Sequence, residues 1–280
     1  MNSILDKIVT HKLGEISAAK SARPIKDIQA AAEQAPKPRD FLGALTKGDQ
    51  AGRVSLIAEV KKASPSKGII REDFCPVDIA SSYARSGASC ISVLTDEHFF
   101  QGSLDYLRDV RAAVDIPLLR KDFTLDEYQV FEARAAGADA VLLIAECLTP
   151  SQLKDLHAVI VELNMTALVE LYDAANIEAV LACKPTLVGV NNRDLNTFEI
   201  DLHHSIRIKQ NLPDEIAMVS ESGIFTNQDV QLMFENKVDA ILVGESLMRA
   251  EDIDQAVKTC LLYTSPSPRD ATLSRMPSSA

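Results

Sequence analysis

Three features that are scarce or missing in this 280-residue sequence exclude several classes of protein. The five cysteines are scattered without a C-x-x-C pair, so neither a disulfide framework nor a zinc cage is expected, and the cytoplasm is the predicted compartment. No uncharged apolar run reaches the roughly 18 residues of a membrane span, and charges interrupt the N-terminal segment where a signal peptide would lie. Lys and Arg total 29 against 40 Asp and Glu, so the net charge is -11 and neither nucleic acid nor an anionic membrane is an expected partner.

Short apolar segments alternate with amphipathic helical patterns from residue 55 onward. The apolar segments have the length and the β-branched content of buried parallel strands. A strand followed by a helix, repeated eight times, predicts an α/β fold, a single (β/α)8 barrel. A doubly wound sheet is the alternative, but it more commonly has five or six strands. The eight segments are residues 55–61, 90–95, 117–123, 139–145, 166–171, 186–192, 216–222 and 239–246.

The two ends of the chain differ from this repeat. Residues 1–50 contain prolines between helical stretches and are predicted to be an N-terminal helical extension packed on the barrel, which occupies residues 51–259. Residues 260–280 are rich in Ser, Pro and Thr without an apolar period, so a disordered tail is expected. Residues 260–270 also resemble the translated end of a sequencing-library adapter, which indicates a non-native tail.

Polar residues stand where the predicted strands end, and this is the end of a (β/α)8 barrel that carries reactive groups. The period of two places Glu59 and Lys61 on one face of the first strand, while the adjacent Arg120 and Lys121 point in opposite directions. Any one such residue would be ordinary at a solvated strand end. Several unpaired ions in one barrel mouth would be costly to bury, so a paired network around a polar ligand is favoured. Its candidate members are Glu59, Lys61, Lys121, Glu170, Asn191, Glu221 and Ser222.

A second group of residues suggests a phosphate site. Gly223 follows the seventh strand and Gly244 the eighth, where loops of such barrels often bind phosphate. Ser246 follows in the second of these loops, and Ser64 lies in the loop after the first strand. Each glycine could instead serve only a turn. No histidine spacing resembles a metal triad, so no metal is expected.

The ordered motifs of this chain resemble those of the indole-3-glycerol phosphate synthase family, the (β/α)8 enzymes of tryptophan biosynthesis. That family converts 1-(2-carboxyphenylamino)-1-deoxyribulose 5-phosphate to indole-3-glycerol phosphate, with release of carbon dioxide and water and without a cofactor. The resemblance therefore implies a decarboxylating lyase with a phosphorylated small-molecule substrate. The motifs that carry it are IAEVKKASPSKG, LTDEHFFQGS, LRKDF, ALVEL, GVNNRDL, SESGI and ILVGESLMR.

The resemblance also implies roles for individual residues. Lys121 would be the general acid, Glu170 would assist proton transfer in the dehydration, and Glu221 would tune the lysines. Glu59 and Lys61 would form an ion pair near the substrate, with Lys61 either steering the substrate's carboxylate or donating a proton. The expected phosphate ligands are Ser64, Gly223, Gly244 and Ser246; Asn191, Arg193 and Ser222 would orient polar groups; and Phe99, Phe100 and Phe123 are candidates for an apolar wall, although the first two could instead pack a helix. Glu245 departs from the family pattern, and its side chain is expected to point outward.

Other functions remain open on the sequence alone. Several phrases resemble the bifunctional version of the family most closely, so the natural protein could carry a fused or associated phosphoribosylanthranilate isomerase. A lysine at a strand end could also be the nucleophile of a Schiff-base aldolase. A non-catalytic barrel that binds a phosphorylated ligand would be expected to lack Glu59, Lys61, Lys121 or Glu170, and all four are present.

Overall fold

The computed structural model describes residues 3–50, 54–194 and 197–261, with the backbone alone for residues 47–50. Its centre is a closed barrel in which every neighbouring pair of strands is parallel. The predicted (β/α)8 barrel is thus confirmed. The barrel strands are β1 (Ser55–Val60), β2 (Cys90–Leu94), β3 (Leu118–Lys121), β4 (Ala140–Ile144), β5 (Thr166–Leu171), β6 (Leu187–Asn191), β7 (Ala217–Glu221) and β8 (Ala240–Val243).

Helices precede the barrel and connect its strands. The three that precede it are α1 (Ile4–Ala22), α2 (Ile25–Gln34) and α3 (Phe41–Gln50). The others are α4 (Pro76–Ser86), α5 (Leu104–Ala113), α6 (Glu127–Ala135), α7 (Pro150–Glu162), α8 (Ile177–Ala182), α9 (His203–Lys209), α10 (Asn227–Glu235), α11 (Glu245–Met248) and α12 (Ile253–Leu261). Among the described residues, no helix combines the length and the apolar character that a membrane span needs.

The barrel strands bury side chains on both faces, which explains their nearly continuous apolar sequences. In β1, Leu56 and Ala58 belong to the layer between strands and helices, whereas Ile57 belongs to the barrel interior. Glu59 follows Ile57 by two residues, so the period of a strand directs it inward, one layer above. The same alternation in β3 places Leu119 in the interior, followed two residues later by Lys121.

Helix α3 closes the end of the barrel opposite to these charged residues. Phe41 and Leu45 are fully buried and pack with the interior side chains. The Ser55 hydroxyl donates a hydrogen bond to the Leu45 carbonyl at 2.5 Å, which ties α3 to the start of β1. The interior is therefore sealed at its amino-terminal end and opens at its carboxyl-terminal end.

Helix α1 contacts the outer helix α6 at its end and contributes side chains to the open end of the barrel at its start. The Tyr128 hydroxyl of α6 donates to the carbonyls of Ala19 and Arg23 at the end of α1.

At the other end of the chain, helix α12 continues through Cys260 to Leu261. The predicted tail, which begins at residue 260, therefore starts two residues too early. Residues 262–280 lie outside the described residues.

Candidate active site at the carboxyl end of the barrel

A cavity of about 190 Å³ opens at the carboxyl ends of the strands. It collects nearly all the residues predicted from the sequence, although they lie far apart along the chain. The cavity is lined by Glu59, Lys61, Ser64, Lys121, Phe123, Glu170, Asn191, Arg193, Glu221, Ser222, Gly223, Gly244 and Ser246.

Lys121 forms the centre of the charged network. Its Nζ lies 2.7 Å from a carboxylate oxygen of Glu170 and 2.7 Å from one of Glu221. The Asn191 amide donates to the other oxygen of Glu170 at 3.3 Å. Both acids are nearly inaccessible to solvent, while the lysine side chain retains 15% exposure toward the cavity. The ammonium group is therefore held by the protein and accessible to a ligand.

Burial and charge act differently on these three groups. Burial alone would lower the pKa of Lys121, but Glu170, Glu221 and Glu59 together outweigh it and raise that pKa above its usual value, with Glu170 the largest of the three contributions. Burial would raise the pKa of Glu170, but Lys121 and the Asn191 amide lower it below the usual range. Burial raises the pKa of Glu221 to about 8, and repulsion from Glu170 adds to this effect. Near neutral pH the site thus holds a charged lysine, an ionised Glu170 and a protonated Glu221.

Glu59 and Lys61 form an ion pair at the mouth of the cavity. Glu59 is 4% exposed, whereas Lys61 reaches toward solvent. Gly244 lies against this pair, because a Cβ at that position would collide with the Glu59 carboxylate. Gly244 therefore has a role that the sequence did not indicate, which is to leave room for an acid.

Gly189 in β6 also leaves room for an acid, in this case the side chain of Glu221. A Cβ on Gly189 would overlap the Glu221 carboxylate and would lie 3.3 Å from Leu168. Sequence reasoning missed this residue. The sequence feature that could have indicated it is a single glycine within an apolar strand, because such a glycine often marks a place where another group approaches the backbone closely.

Glu245 does not point away from the site as expected. It lines the cavity, and one carboxylate oxygen lies 3.8 Å from the Arg193 guanidinium. The other oxygen lies 3.1 Å from Arg249. The Asn191 side chain accepts a hydrogen bond from the Arg193 backbone N–H at 3.0 Å and so fixes the start of the loop that carries this arginine. The two arginines offset the charge of Glu245 beside the proposed phosphate site.

The loops after β7 and β8 form the opposite end of the cavity. Ser222 and Gly223 both have positive φ, 68° and 84°, which turns the chain sharply after Glu221. The buried Asn192 amide donates to the Ser222 carbonyl at 3.1 Å and stabilises this turn. The Ser246 hydroxyl donates to the Ile224 carbonyl at 3.2 Å and joins the two loops. Ser64 faces them from a short hairpin, Ala63–Ser64 paired with Gly68–Ile69.

The aromatic wall differs in part from the prediction. Phe100 and Phe123 line the cavity, and their ring centroids are 6.1 Å apart. Phe99 is not among the lining residues, because its ring packs edge-on against His11 and His98. Apolar lining residues that the sequence analysis missed include Ile4, Leu5 and Ile8 of α1, together with Phe198 and Phe225.

Arg120 lies behind the site and points toward the helix layer, as the alternation in β3 predicts. Its guanidinium contacts Asp122 at 3.2 Å and Glu132 of α6 at 2.9 Å. Among the described residues, no group of three or more His, Cys, Asp or Glu side chains is arranged to hold a metal ion.

The fold and this cavity define a class, the (β/α)8-barrel enzymes with an acid–base site at the carboxyl ends of the strands. Residues 5–260 match the family model described as indole-3-glycerol phosphate synthase. A curated protein of that name from Rhodopirellula baltica is 54% identical, with 92% of this chain and 99% of the relative covered. One from Polaromonas naphthalenivorans is 50% identical, with coverages of 90% and 96%. The chain belongs to the indole-3-glycerol phosphate synthase family, the lyases that close the indole ring in tryptophan biosynthesis.

More distant solved structures share the fold alone. A thiamine phosphate pyrophosphorylase from Pyrococcus furiosus has a TM-score of 0.57 at 16% identity, covering 77% of this chain and 97% of that one. An N-acetylmannosamine-6-phosphate 2-epimerase from Clostridium perfringens has a TM-score of 0.59 at 12% identity, with coverages of 74% and 90%.

Proposed function

We propose that this chain converts 1-(2-carboxyphenylamino)-1-deoxyribulose 5-phosphate to indole-3-glycerol phosphate, carbon dioxide and water, and that Lys121 is its general acid. The observation that carries the assignment is the Lys121 ammonium, held 2.7 Å from each of two buried acids and open to the cavity. A lysine must keep its proton until the transition state to act as an acid. The ionised Glu170 and the hydrogen bond to Glu221 hold Lys121 in that form.

Ring closure requires the aromatic carbon that bears the carboxylate to bond to the substrate's carbonyl carbon. Negative charge develops on the carbonyl oxygen as this bond forms, and the proton of Lys121 neutralises it. Loss of carbon dioxide then restores the aromatic ring. The wall formed by Phe100 and Phe123 would hold the ring against the carbonyl, which favours the reaction through proximity.

The remaining step is loss of the new hydroxyl group as water. A proton must reach the departing hydroxyl, and another must leave the ring nitrogen or the adjacent carbon. Glu170 is the proposed base for this step, because its lowered pKa keeps it ionised. Its hydrogen bond from Asn191 fixes the direction of the carboxylate. Glu221, uncharged near neutral pH, would tune Lys121 without adding a second full charge.

The polar mouth would bind the two anionic ends of the substrate. Lys61 is the proposed partner of the substrate's carboxylate, with Glu59 holding the lysine in place. The phosphate would lie between Ser64, the turn at Gly223, and Gly244 and Ser246 of the loop after β8. Arg193 and Ser222 would orient the hydroxyl groups between these ends. Binding energy from the distant phosphate would help to hold the ring and the carbonyl together.

A direct test uses the purified chain, the carboxyphenylamino substrate and EDTA, with the product followed by indole fluorescence. Turnover with loss of carbon dioxide is expected. Borohydride added during turnover tests the aldolase alternative, because a Schiff base on Lys121 would be trapped as a covalent adduct and the proposed mechanism forms none. Substrate binding without product would favour a non-catalytic barrel instead.

Three broader assignments are also proposals. The free cysteines of the described residues are compatible with a reducing cytoplasm. Contacts of α1 and α3 with the barrel support treating residues 1–50 and 51–259 as one folding unit. A fused or associated phosphoribosylanthranilate isomerase rests on the motif resemblance, whereas the alignments to the two relatives above already cover 99% and 96% of their lengths.

A further inference from the structure

Lys12 of α1 is buried between three acids at the edge of the active-site cavity. Only 4% of its side chain is exposed, which is rare for lysine. Its Nζ lies 2.6 Å from Glu15 on the same helix, 2.9 Å from Asp96 after β2 and 3.0 Å from Asp122 after β3. One ammonium group therefore joins the N-terminal helix to two active-site loops.

Asp96 fixes the loop that carries one of the two aromatic wall residues. One carboxylate oxygen accepts hydrogen bonds from the backbone N–H groups of Phe99 at 2.8 Å and Phe100 at 3.2 Å. The second oxygen is fully buried, and apart from the Lys12 ammonium it has no hydrogen-bond partner among the described residues. Asp96 thus depends on Lys12 for its charge balance.

Asp122 fixes the loop that carries the other wall residue. It follows Lys121 directly, and the oxygen that faces Lys12 also accepts the Phe123 backbone N–H at 2.8 Å. Its other oxygen accepts from the Thr95 hydroxyl at 2.6 Å and lies 3.2 Å from the Arg120 guanidinium. Asp122 therefore has a second cation, Arg120, whereas the ion pair with Lys12 is the one that Asp96 makes within the described part of the chain.

The same face of α1 provides an apolar part of the cavity. Ile8 precedes Lys12 by four residues and so lies one helical turn away on the same face. Ile8 lines the cavity together with Ile4 and Leu5. The ion pairs of Lys12 thus lie on the face of α1 that contributes these three apolar side chains to the cavity.

The charge of Lys12 is maintained by its surroundings. Burial alone would lower the pKa of Lys12, but the carboxylates of Asp122 and Asp96 raise it above the usual value. Glu15 contributes a further hydrogen bond from within α1. The group stays charged throughout the neutral range, so its effect on the site is constant and does not act as a pH switch.

We propose that Lys12 is a positioning residue that holds α1 against the loops after β2 and β3 and thereby completes the subsite for the aromatic ring of the substrate. This inference rests on the proposed function, which places that ring against Phe100 and Phe123. Among the described residues, no ion pair links Lys12 to Lys121 or to the loops after β7 and β8, so its effect is expected at the ring end of the ligand.

The test compares two competitive inhibitors of turnover, the product indole-3-glycerol phosphate, which has the ring, and glycerol 3-phosphate, which lacks it. Lys12→Met removes the ammonium and keeps most of the side-chain volume. Its inhibition constant for the product should rise about tenfold through lost apolar contact with the ring, while that for glycerol 3-phosphate changes by less than about twofold. Lys20→Met is the matched control, since Lys20 forms an exposed ion pair with Asp126 farther along α1; both constants should stay unchanged.

A conservative variant separates positioning from general stability. A cavity of about 200 Å³ borders Lys12 and gives space for a larger guanidinium. Lys12→Arg should therefore restore most of the product affinity. If Lys12→Met does not fold, Asp96→Asn serves instead, because it removes the carboxylate that depends on Lys12 and is expected to weaken product binding in the same selective way.

Two results would overturn the proposal. Equal weakening of both inhibitors would mean that Lys12 supports the fold generally, and unchanged constants in a folded Lys12→Met protein would mean that it does not position the subsite. Phe100→Ala tests the ring placement independently. If Phe100→Ala leaves product binding unchanged, the placement itself is wrong; if it weakens product binding while Lys12→Met does not, only the role of Lys12 is wrong.

Discussion

Replacing Lys121 with methionine removes one ammonium group from the centre of the barrel mouth and retains most of the side-chain volume. The lysine is held by Glu170 and Glu221, which are 4% and 2% exposed. Because Glu221 is protonated near neutral pH, Glu170 is the acid that loses a full counter-charge. Its pKa should rise on loss of Lys121, so that it takes up a proton and the fold survives.

The size of the expected effect follows from the geometry. A charged oxygen 2.7 Å from Nζ attracts it by about 6 kcal/mol at an effective dielectric constant of about 20, most of which desolvation of the two ions offsets. The catalytic loss is set instead by the missing proton donor. General acids contribute roughly 100-fold to 10,000-fold to a rate, which corresponds to about 3 to 5 kcal/mol of transition-state stabilisation. We therefore expect kcat to fall by that factor.

Initial rates over a range of substrate concentrations separate kcat from KM. The exposed Lys154 of α7 provides a control, since Lys154→Met removes a lysine far from the cavity and should leave both constants unchanged. Lys121→Arg keeps the positive charge but does not release a proton readily, so kcat should remain low in this variant as well. A kcat for folded Lys121→Met within about threefold of the parent would refute the assignment, because no general acid contributes so little.

Two further predictions concern the groups around Lys121. The pKa of Glu221 is about 8 in the native state, against its ordinary value of 4.5, so the associated stability is fully present below about pH 4.5 and is lost progressively as pH rises to about 8. Glu221→Gln should remove that decline in thermal unfolding scans, and an unchanged decline would assign it to another group. Gly189→Ala should displace the Glu221 carboxylate, lowering kcat and costing about 1–3 kcal/mol of unfolding free energy. Gly14→Ala in α1, where a Cβ meets open space, should instead stabilise by up to about 1 kcal/mol, and equal effects of the two alanines would contradict the steric argument.

Much of the charged site was predictable because strand alternation is a local property. Once the strand ends were located, a period of two was enough to direct Glu59 and Lys121 inward and Arg120 outward. Parallel strands in a barrel bring their carboxyl ends to one rim, which brought Glu170 and Glu221 to the same cavity. None of these steps needed knowledge of loop conformation.

The errors arose where loop conformation decides which side chain faces the ligand. The neighbours Phe99 and Phe100 are equivalent by composition, but hydrogen bonds to Asp96 set the turn that directs only Phe100 into the cavity. Glu245 was expected to avoid the site because its charge alone would repel phosphate. Arg193 reaches it from the loop after a different strand, and this long-range contact has no local signal.

The charge balance of the cavity is the property least accessible to sequence. By formal charge, five acids and three cations line the cavity, an excess of two negative charges that would disfavour a substrate with both a phosphate and a carboxylate; they are Glu59, Asp122, Glu170, Glu221 and Glu245 against Lys61, Lys121 and Arg193. Burial of Glu221 beside Glu170 raises its pKa to about 8 and removes one of these two charges near neutral pH. A Cβ on Gly189 would overlap the Glu221 carboxyl group, so this glycine leaves the space in which Glu221 is buried. An uncharged residue on β6 thus contributes to the electrostatics of a site whose acids and bases include groups on β1, β3, β5 and β7.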